Sequence, residues 1–370
     1  MMKNTFLLCS ALVVSAVLWG CQTTDNVQPS PKNDKRVSLT RPPVTIIAHR
    51  GASGHLPEHT MASKALAYGM GADFIEQDVV MTKDDHLLVH HDLTLDATTN
   101  VATVFPDRKR QDGHFYVIDF TLAELKKLHV FERLKSTETT TGTATGTAKY
   151  PKRFPTQTGD FRLHTFAEEL TLIQALNASH QKNVGIYPEV KSPWFHHQAG
   201  KDISSAVLST LKTYGYTQKA DNVYLQSFDA NELKRIKHEL LPKFGMTISL
   251  VQLVAYTDWQ ETQELVNNQW QNYRYDWMFT RQGVADIAEY ADGVGPWFPM
   301  LVDDNWQASA FLKAAQQFKL AIHPYTYRIE DTPERFDSYD QWLQFTYAEL
   351  GIDGFFSDFP AKSRAALTSR

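Results

Sequence analysis

Two acidic residues on one face of a predicted strand are the first candidates for chemistry in this sequence. Glu76 and Asp78 are separated by a single residue within an apolar run that begins at Phe74. Because side chains two residues apart on a strand point to the same face, the two carboxylates point the same way. Burying such a pair is unfavourable, since each carboxylate loses its hydration and repels the other. A hard divalent cation, which prefers oxygen ligands, would relieve the repulsion, and the pattern therefore predicts a metal site.

The residues after this strand predict a hairpin that carries an imidazole towards the two acids. Residues 82–85, Thr-Lys-Asp-Asp, have the composition of a turn. A second strand over residues 87–90 then leads into His91 and Asp92. The alternative interpretation is a core strand with a satisfied acid pair and a structural histidine.

Four further polar residues lie at the ends of two other predicted strands. His49 and Arg50 directly follow a short β-branched strand, and Glu189 and Lys191 share one face of a later strand. Arginine is suited to bidentate phosphate recognition. A divalent cation with two basic side chains forms a charge clamp for a phosphoryl group. Two histidines that titrate near neutrality can divide the base and acid work of phosphoryl transfer between them.

Nine strand-like runs, separated for the most part by amphipathic helical segments, must position these residues. They begin at Val44, Phe74, Leu87, Gly185, Val223, Met246, Gly293, Leu320 and Gly354. The run at Leu87 follows a tight turn with no crossover helix, so it must be antiparallel to its predecessor. The other eight strands predict an α/β fold, the (β/α)₈ TIM barrel, whose active sites sit at the C-terminal strand ends. A doubly wound open sheet is the runner-up, but no G-x-G-x-x-G phosphate turn supports it.

Residues 93–162 break the strand–helix pattern and predict an insertion on one face of the barrel. The stretch holds loop-like sequence, a capping box at residues 121–124 and a low-complexity tract over residues 136–149. We expect no second hydrophobic core in this insertion. A second capping box, at residues 165–168, starts the next barrel helix.

The composition of the chain excludes several classes of partner. The 370 residues are 42% hydrophobic and 12% aromatic, ample for a large core, and the formal net charge of −5 includes no basic block. A nucleic-acid or anionic-membrane surface is therefore not indicated. The only cysteines are Cys9 and Cys21. Residues 44–367 therefore hold no disulfide, cysteine-ligated zinc or cysteine nucleophile.

The start of the chain has the pattern of a targeting segment followed by a tether. Lys3 and the apolar run after it predict a signal peptide over residues 1–20, too short to span a membrane. Leu-Trp-Gly-Cys at its end resembles a lipobox and predicts lipidation of Cys21, with a flexible stalk over residues 21–43. By resemblance to enterobacterial-type sorting, Gln22 predicts the outer membrane of the bacterial cell envelope, facing the periplasm. The alternative is an ordinary cleaved signal and a soluble periplasmic protein.

Several spaced motifs together resemble those of a known enzyme family. H-R-G-A-S-G…P-E-H-T, E-Q-D, H-D, P-E-V-K, L-Q-S-F-D and F-S-D-F-P are similar to motifs of the glycerophosphodiester phosphodiesterases, in their bacterial periplasmic or lipoprotein branch. The resemblance covers residues 44–367. It implies a (β/α)₈ barrel that hydrolyses substrates such as glycerophosphocholine and glycerophosphoethanolamine to sn-glycerol 3-phosphate and an alcohol. It also implies Ca²⁺ as cofactor, with Mg²⁺ as the alternative.

The resemblance also implies a role for each candidate residue. His49 and His91 are the implied catalytic pair, and Arg50 and Lys191 the phosphate contacts. The implied metal ligands are Glu76, Asp78 and Glu189. We expect Glu58 to orient Arg50 or His49 and not to bind metal. Trp297, after a Gly-Pro strand end, either walls the glycerol pocket or packs in the core.

The expected reaction leaves two nucleophiles and two rival functions open. His49 is expected to deprotonate the nucleophile and His91 to protonate the departing alcohol, although the sequence does not order these roles. The nucleophile is either water or the glycerol 2-hydroxyl, the latter through a cyclic intermediate. One rival is a phospholipase of the C or D type on the same barrel. The other is a surface adhesin or binding lipoprotein; otherwise the expected partners are small-molecule substrates, and the membrane through the lipid anchor alone.

Overall fold

A computed structural model describes residues 44–135, 146–156 and 158–368. The predicted signal peptide, Cys21, the stalk and residues 136–145 of the low-complexity tract lie outside the described residues. Within them the strands are, in chain order, β1 (Thr45–Ala48), β2 (Phe74–Met81), β3 (Leu87–Val89), β4 (His129–Val130), β5 (Phe161–Arg162), β6 (Gly185–Val190), β7 (Tyr224–Ser227), β8 (Ser249–Val254), β9 (Gln263–Val266), β10 (Gln269–Asn272), β11 (Gly293–Pro296), β12 (Ala321–Ile322) and β13 (Gly354–Ser357).

Eight of these strands form a parallel barrel. Their hydrogen-bonded order is β12-β11-β8-β7-β6-β2-β1-β13, and every neighbouring pair in it is parallel. The barrel closes between β12 and β13, where the N–H of Tyr327 donates to the carbonyl of Phe356 at 2.8 Å and the N–H of Phe356 to that of Pro324 at 3.0 Å. β3 lies antiparallel to β2. The predicted (β/α)₈ barrel with a hairpin after its second strand is confirmed, and the open-sheet alternative is wrong.

Helices connect the strands; most of them pack on the barrel, and the two short ones over residues 101–104 and 122–125 belong to the insertion. The helices are α1 (Met61–Gly69), α2 (Val101–Val104), α3 (Leu122–Leu125), α4 (Phe166–His180), α5 (Pro193–Gln198), α6 (Ile203–Thr213), α7 (Ala230–Arg235), α8 (Leu241–Phe244), α9 (Arg281–Ala288), α10 (Ala310–Gln317), α11 (Tyr339–Phe345) and α12 (Pro360–Thr368). Both predicted capping boxes are present, at the starts of α3 and α4. No helix among the described residues is long and apolar enough to cross a bilayer.

The insertion over residues 93–162 folds around a small hydrophobic cluster, so the expectation that it has no core is wrong. The cluster joins apolar residues of the insertion to two residues of the β2–β3 hairpin, Val80 and Leu88. Its buried members from the insertion are Leu95, Val101, Phe115, Val117, Phe120, Leu125, Leu128 and Val130. These side chains are spread over short helices and turns, which is why no regular apolar spacing in the sequence indicates them. The cluster fixes the insertion beside the second barrel strand.

A fully buried ion pair supports β2 from outside the barrel. Lys64 of α1 lies 3.1 Å from the carboxylate of Glu169 in α4, and neither side chain is exposed. The ammonium of Lys64 also donates to the backbone carbonyl of Glu76. Glu169 accepts further hydrogen bonds from Gln77 at 2.9 Å and pairs with His164 at 2.7 Å. The pair therefore ties two helices to the strand that carries Glu76 and Asp78.

Lys64→Met should lower the free energy of unfolding by about 3–5 kcal/mol, because it leaves the buried carboxylate of Glu169 without its cation. Urea unfolding followed by circular dichroism measures this change. The control is Lys126→Met, which breaks the half-exposed pair of Lys126 and Glu168 and should cost less than about 1 kcal/mol. Equal losses in the two variants would mean that the buried pair contributes no more than a surface one.

Candidate active site at the mouth of the barrel

Three buried carboxylates meet where β2 and β6 end. Asp78 and Glu189 are directly paired in the register of these parallel strands, and Glu76 lies two residues before Asp78. One oxygen from each of the three residues lies within 4.8 Å of the others. Neighbouring parallel strands place their carboxyl ends at the same mouth of a barrel, so the period-2 spacing brings all three acids together.

The electrostatics of this acid cluster suit a divalent cation. Burial, together with the charge of Asp78, raises the pKa of Glu76 to about 8. Burial also raises the pKa of Glu189 well above its usual value, although the neighbouring ammonium of Lys191 acts to lower it. The Oδ1 atom of Asp78 is buried and has no hydrogen-bond partner. An all-oxygen set that repels itself and holds an unpartnered carboxylate oxygen fits Ca²⁺ or Mg²⁺.

His49 is held by a carboxylate on its far side. Its Nδ1 lies 2.6 Å from Oδ1 of Asp358, the residue directly after β13. Asp358 is itself paired with Arg328 at 2.9 Å and Arg153 at 2.8 Å. Burial and then the charge of Arg50 lower the pKa of His49 to about 4. The imidazole is therefore neutral at neutral pH, and with Nδ1 engaged its Nε2 is left to accept a proton.

His91 has a similar support, in a more exposed position. Its Nδ1 lies 2.5 Å from the carboxylate of Asp92, whose other oxygen accepts from Arg133 at 2.7 Å. Its Nε2 lies 3.5 Å from the ammonium of Lys191. Burial lowers the pKa of His91 to about 3, and the positive charges of Arg50 and Lys191 contribute to this shift. Two imidazoles, each fixed through Nδ1 by a carboxylate, thus line one cavity.

Acidic side chains hold Arg50 at its backbone N–H and at its guanidinium. Its backbone N–H donates to Glu76 at 2.5 Å, and its guanidinium donates to Glu58 at 2.9 Å. Glu58 also accepts two hydrogen bonds from Arg133 of the insertion, at 2.8 and 2.6 Å. Both oxygens of Glu58 are thus taken by guanidinium groups, and it stands outside the acid cluster. Lys191 pairs with Glu189 at 3.0 Å.

The cavity at the barrel mouth has a volume of about 440 Å³. Trp297 lies on its wall with 38% of its surface exposed, so it is not packed in the core. All of the predicted catalytic, metal and substrate residues except Lys191 line this cavity, and Lys191 reaches His91 at its edge. Glu58, predicted to support Arg50 or His49, contacts Arg50 from outside the cavity. The site thus unites residues from position 49 to position 297.

Several residues at the site were not assigned a role from the sequence. Among them, Asp358 holds His49, and His59 lies 2.7 Å from the second oxygen of Asp78. The cavity is also lined by Lys149, Gln226, Trp259, Glu261 and Arg328. Asp358 lies in the F-S-D-F-P motif directly after a strand end, and that position could have indicated it. Gln226 lies on β7 within the L-Q-S-F-D motif, and His59 lies in the P-E-H-T motif. The others come from segments between the barrel strands that carry no comparable signal.

Comparison with known proteins decides the family. The model of the glycerophosphoryl diester phosphodiesterase family matches residues 49–362. The chain belongs to this family. A glycerophosphodiester phosphodiesterase of Haemophilus influenzae is 48% identical over 362 residues, which cover 95% of this chain and 96% of that protein. The enzyme of Treponema pallidum is 48% identical over 322 residues, 85% of this chain and 89% of its own. The predicted family and the predicted enzyme class, glycerophosphodiester phosphodiesterase, are confirmed.

Solved structures of family members share the barrel. A glycerophosphodiester phosphodiesterase from Agrobacterium tumefaciens superposes with a TM-score of 0.55 at 18% identity, over 87% of this chain and 100% of its own. An Oleispira antarctica phosphodiesterase in complex with the product sn-glycerol-3-phosphate superposes with a TM-score of 0.54 at 20% identity, over 88% of this chain and 97% of its own. At these identities the likeness supports the fold.

Proposed function

We propose that the protein hydrolyses glycerophosphodiesters of small alcohols, such as glycerophosphocholine and glycerophosphoethanolamine, to sn-glycerol 3-phosphate and the free alcohol, with a divalent cation as cofactor. The observation that carries the proposal is one cavity that joins three clustered carboxylates, two carboxylate-supported imidazoles and two basic side chains. The product bound to the Oleispira antarctica relative supports the same choice of product.

Glu76, Asp78 and Glu189 would hold the cation, either Ca²⁺ or Mg²⁺. When bound, it would supply charge for the phosphoryl oxygens during the reaction. Arg50 would donate its remaining guanidinium N–H groups to the phosphate, since only its Nη1 donates to Glu58. Lys191 would add a second positive charge near His91. These groups stabilise the charge that develops on the phosphoryl oxygens.

The two histidines would move the protons. His49, neutral and backed by Asp358, would take a proton from the nucleophile at its Nε2. Asp358 would stabilise the imidazolium that forms, as a carboxylate at Nδ1 does in other base–carboxylate pairs. His91 would give a proton to the oxygen of the departing alcohol. The anionic phosphodiester, bound beside it, favours the charged form of His91 that this step needs.

An assay of product release tests the proposed function. The purified protein with Ca²⁺ should release glycerol 3-phosphate from glycerophosphocholine and leave phosphatidylcholine intact. A phospholipase of the C or D type would instead cleave the intact lipid. A binding protein with a relic barrel would cleave neither, so release of glycerol 3-phosphate from neither substrate would contradict the proposal.

We also propose that lipidation of Cys21 anchors the protein in the bacterial cell envelope, at the outer membrane facing the periplasm. The lipobox-like Leu-Trp-Gly-Cys and the apolar run before it support this. Cys21→Ser should move the protein from the membrane fraction to the soluble periplasmic fraction and prevent incorporation of labelled palmitate. The control, Cys9→Ser, should stay in the membrane fraction. A soluble, unlabelled wild-type protein would indicate an ordinary cleaved signal.

A further inference from the structure

One part of the cavity wall is built from aromatic rings. The indoles of Trp259 and Trp297 lie 5.3 Å apart at an interplanar angle of 71°, and we call this pair the aromatic wall. Both residues line the cavity, with 37% and 38% of their surface exposed. Apolar surface of this size, left open beside a phosphate site, indicates a contact with the substrate.

The aromatic wall is held in place from behind. Tyr256 contacts Trp259 at 5.3 Å and Trp297 at 6.4 Å, and it stacks on Phe279 at 5.5 Å. Trp297 follows β11 directly, and its backbone bridges to Tyr325 next to β12. The indoles are therefore pre-positioned, which limits the entropy lost when a ligand binds.

An acidic side chain that forms no hydrogen bond or close ion pair among the described residues lies beside the aromatic wall. Glu261 lines the same cavity and makes no hydrogen bond or ion pair with the residues that the structure describes. The preceding residue, Gln260, has a left-handed backbone with φ of 58°. Thr262 is buried and accepts a hydrogen bond from the N–H of Tyr273 at 3.1 Å. The loop is thus anchored on the far side of Glu261, whose carboxylate lines the cavity and acts through its charge on Lys191.

We propose that the aromatic wall and Glu261 form a subsite for the ammonium group of the leaving alcohol, as in choline and ethanolamine. This rests on the proposed function and names the substrates that the same site selects. Indole faces attract cations, with quaternary ammonium groups as a well-established case, and a carboxylate adds a compensating charge. The cations of the cavity, Arg50, Lys149 and Arg328, repel an ammonium group and attract the phosphate. The two sets of groups therefore orient a substrate that is anionic in the middle and cationic at one end.

The test compares two diesters with the same glycerophosphoryl group: glycerophosphocholine, with a cationic alcohol, and glycerophosphoglycerol, with a neutral one. The wild-type holoenzyme should have the higher kcat/KM for glycerophosphocholine. Glu261→Gln and Trp259→Leu should each lower the ratio of the two kcat/KM values by about 10-fold. The change should lie mainly in KM for the choline ester, because the subsite binds ground and transition states alike. Trp259→Phe should restore part of the ratio.

Matched controls keep the result specific to the subsite. Glu264→Gln changes an acid three residues further along the chain, and Trp270→Leu removes a tryptophan with 41% exposure; both residues lie outside the cavity lining. Each control should leave the ratio as in the wild type. If the wild type turns over both diesters but the Glu261 and Trp259 variants keep its ratio, the subsite is wrong and the proposed function stands. If the wild type turns over neither diester, the proposed function fails, and the subsite with it.

Discussion

His91→Ala should lower kcat for glycerophosphocholine by about 10²–10⁴-fold, the usual contribution of general acid–base catalysis. The side chain lies at the cavity with 29% exposure, so its removal should leave the fold and metal binding intact. The loss falls on kcat because the proton reaches the alcohol oxygen only as the bond to phosphorus breaks. Steady-state kinetics at saturating Ca²⁺ measure it, with circular dichroism to check the fold.

A change of leaving group isolates the acid role. In the p-nitrophenyl ester of glycerol phosphate the departing group is a stable anion that needs no proton. The His91→Ala deficit should therefore shrink to a few-fold on this substrate, whereas the His49→Ala deficit should stay as large as on glycerophosphocholine. His86→Ala is the control, since His86 lies on the same hairpin with 51% of its side chain exposed. A reversed pattern would exchange the two roles, and equal deficits for His91→Ala on both substrates would remove His91 as the acid.

The sequence predicts the position of a side chain best where strand geometry alone fixes it. Glu76 and Asp78 are two residues apart on β2, so their common face follows from the backbone period. The spacing predicts Lys191 on the same strand as Glu189, but β6 ends at Val190, and the ammonium of Lys191 instead reaches Glu189 at 3.0 Å from just beyond the strand. His49 was placed by the rule that active sites lie at the C-terminal ends of barrel strands. Such residues need only the correct strand assignment.

Most of the residues that sequence reasoning missed lie outside the barrel strands. Lys149 reaches the cavity from the insertion and Glu261 from the loop after β8, and neither path is determined by local spacing. Likewise, Asp358 acquires its contact with His49 only when the last and first strands of the barrel are paired. That pairing joins residues 309 positions apart. The position of Asp358 after a strand end marks it as a candidate site residue, but no pattern within a window of the chain indicates its contact with His49.

One strand boundary shows how a helix end can mislead sequence reasoning. The apolar run at Met246 predicts the start of a strand, but β8 begins at Ser249. Gly245, with φ of 66°, ends α8, and the N–H of Met246 donates to the carbonyl of Leu241 at 2.9 Å. Thr247 in turn donates to Thr217 at 2.8 Å. The first N–H groups of the run therefore donate to carbonyls of a helix C-terminus and of a neighbouring loop, so they are not available for strand pairing.

Removal of divalent cations with EDTA should abolish turnover, and added Ca²⁺ should restore it. The three carboxylates lie within 4.8 Å of one another, and without the cation this cluster offers no positive charge to bind the anionic phosphodiester or to stabilise its reaction. Glu189→Gln should leave activity below about a thousandth of the wild type at any Ca²⁺ concentration, because both the ligand charge and the contact with Lys191 are weakened. Titration of chelated protein with Ca²⁺ and Mg²⁺ compares the two ions.

A second readout does not depend on turnover. Binding to the folded state alone should raise the free energy of unfolding by about 2.7 kcal/mol at a Ca²⁺ concentration of 100 Kd, and Glu189→Gln should remove that increase. The control is Asp202→Asn, in the other described cluster of three possible ligands, with His197 and Glu232. Asp202 and Glu232 are already paired with Arg235, at 2.7 and 2.5 Å, so a cation there would have to displace a guanidinium. The Asp202 variant should therefore keep the full stabilisation by Ca²⁺. Loss of that stabilisation in the Asp202 variant alone would show that the cation binds at this second cluster and not at the barrel mouth.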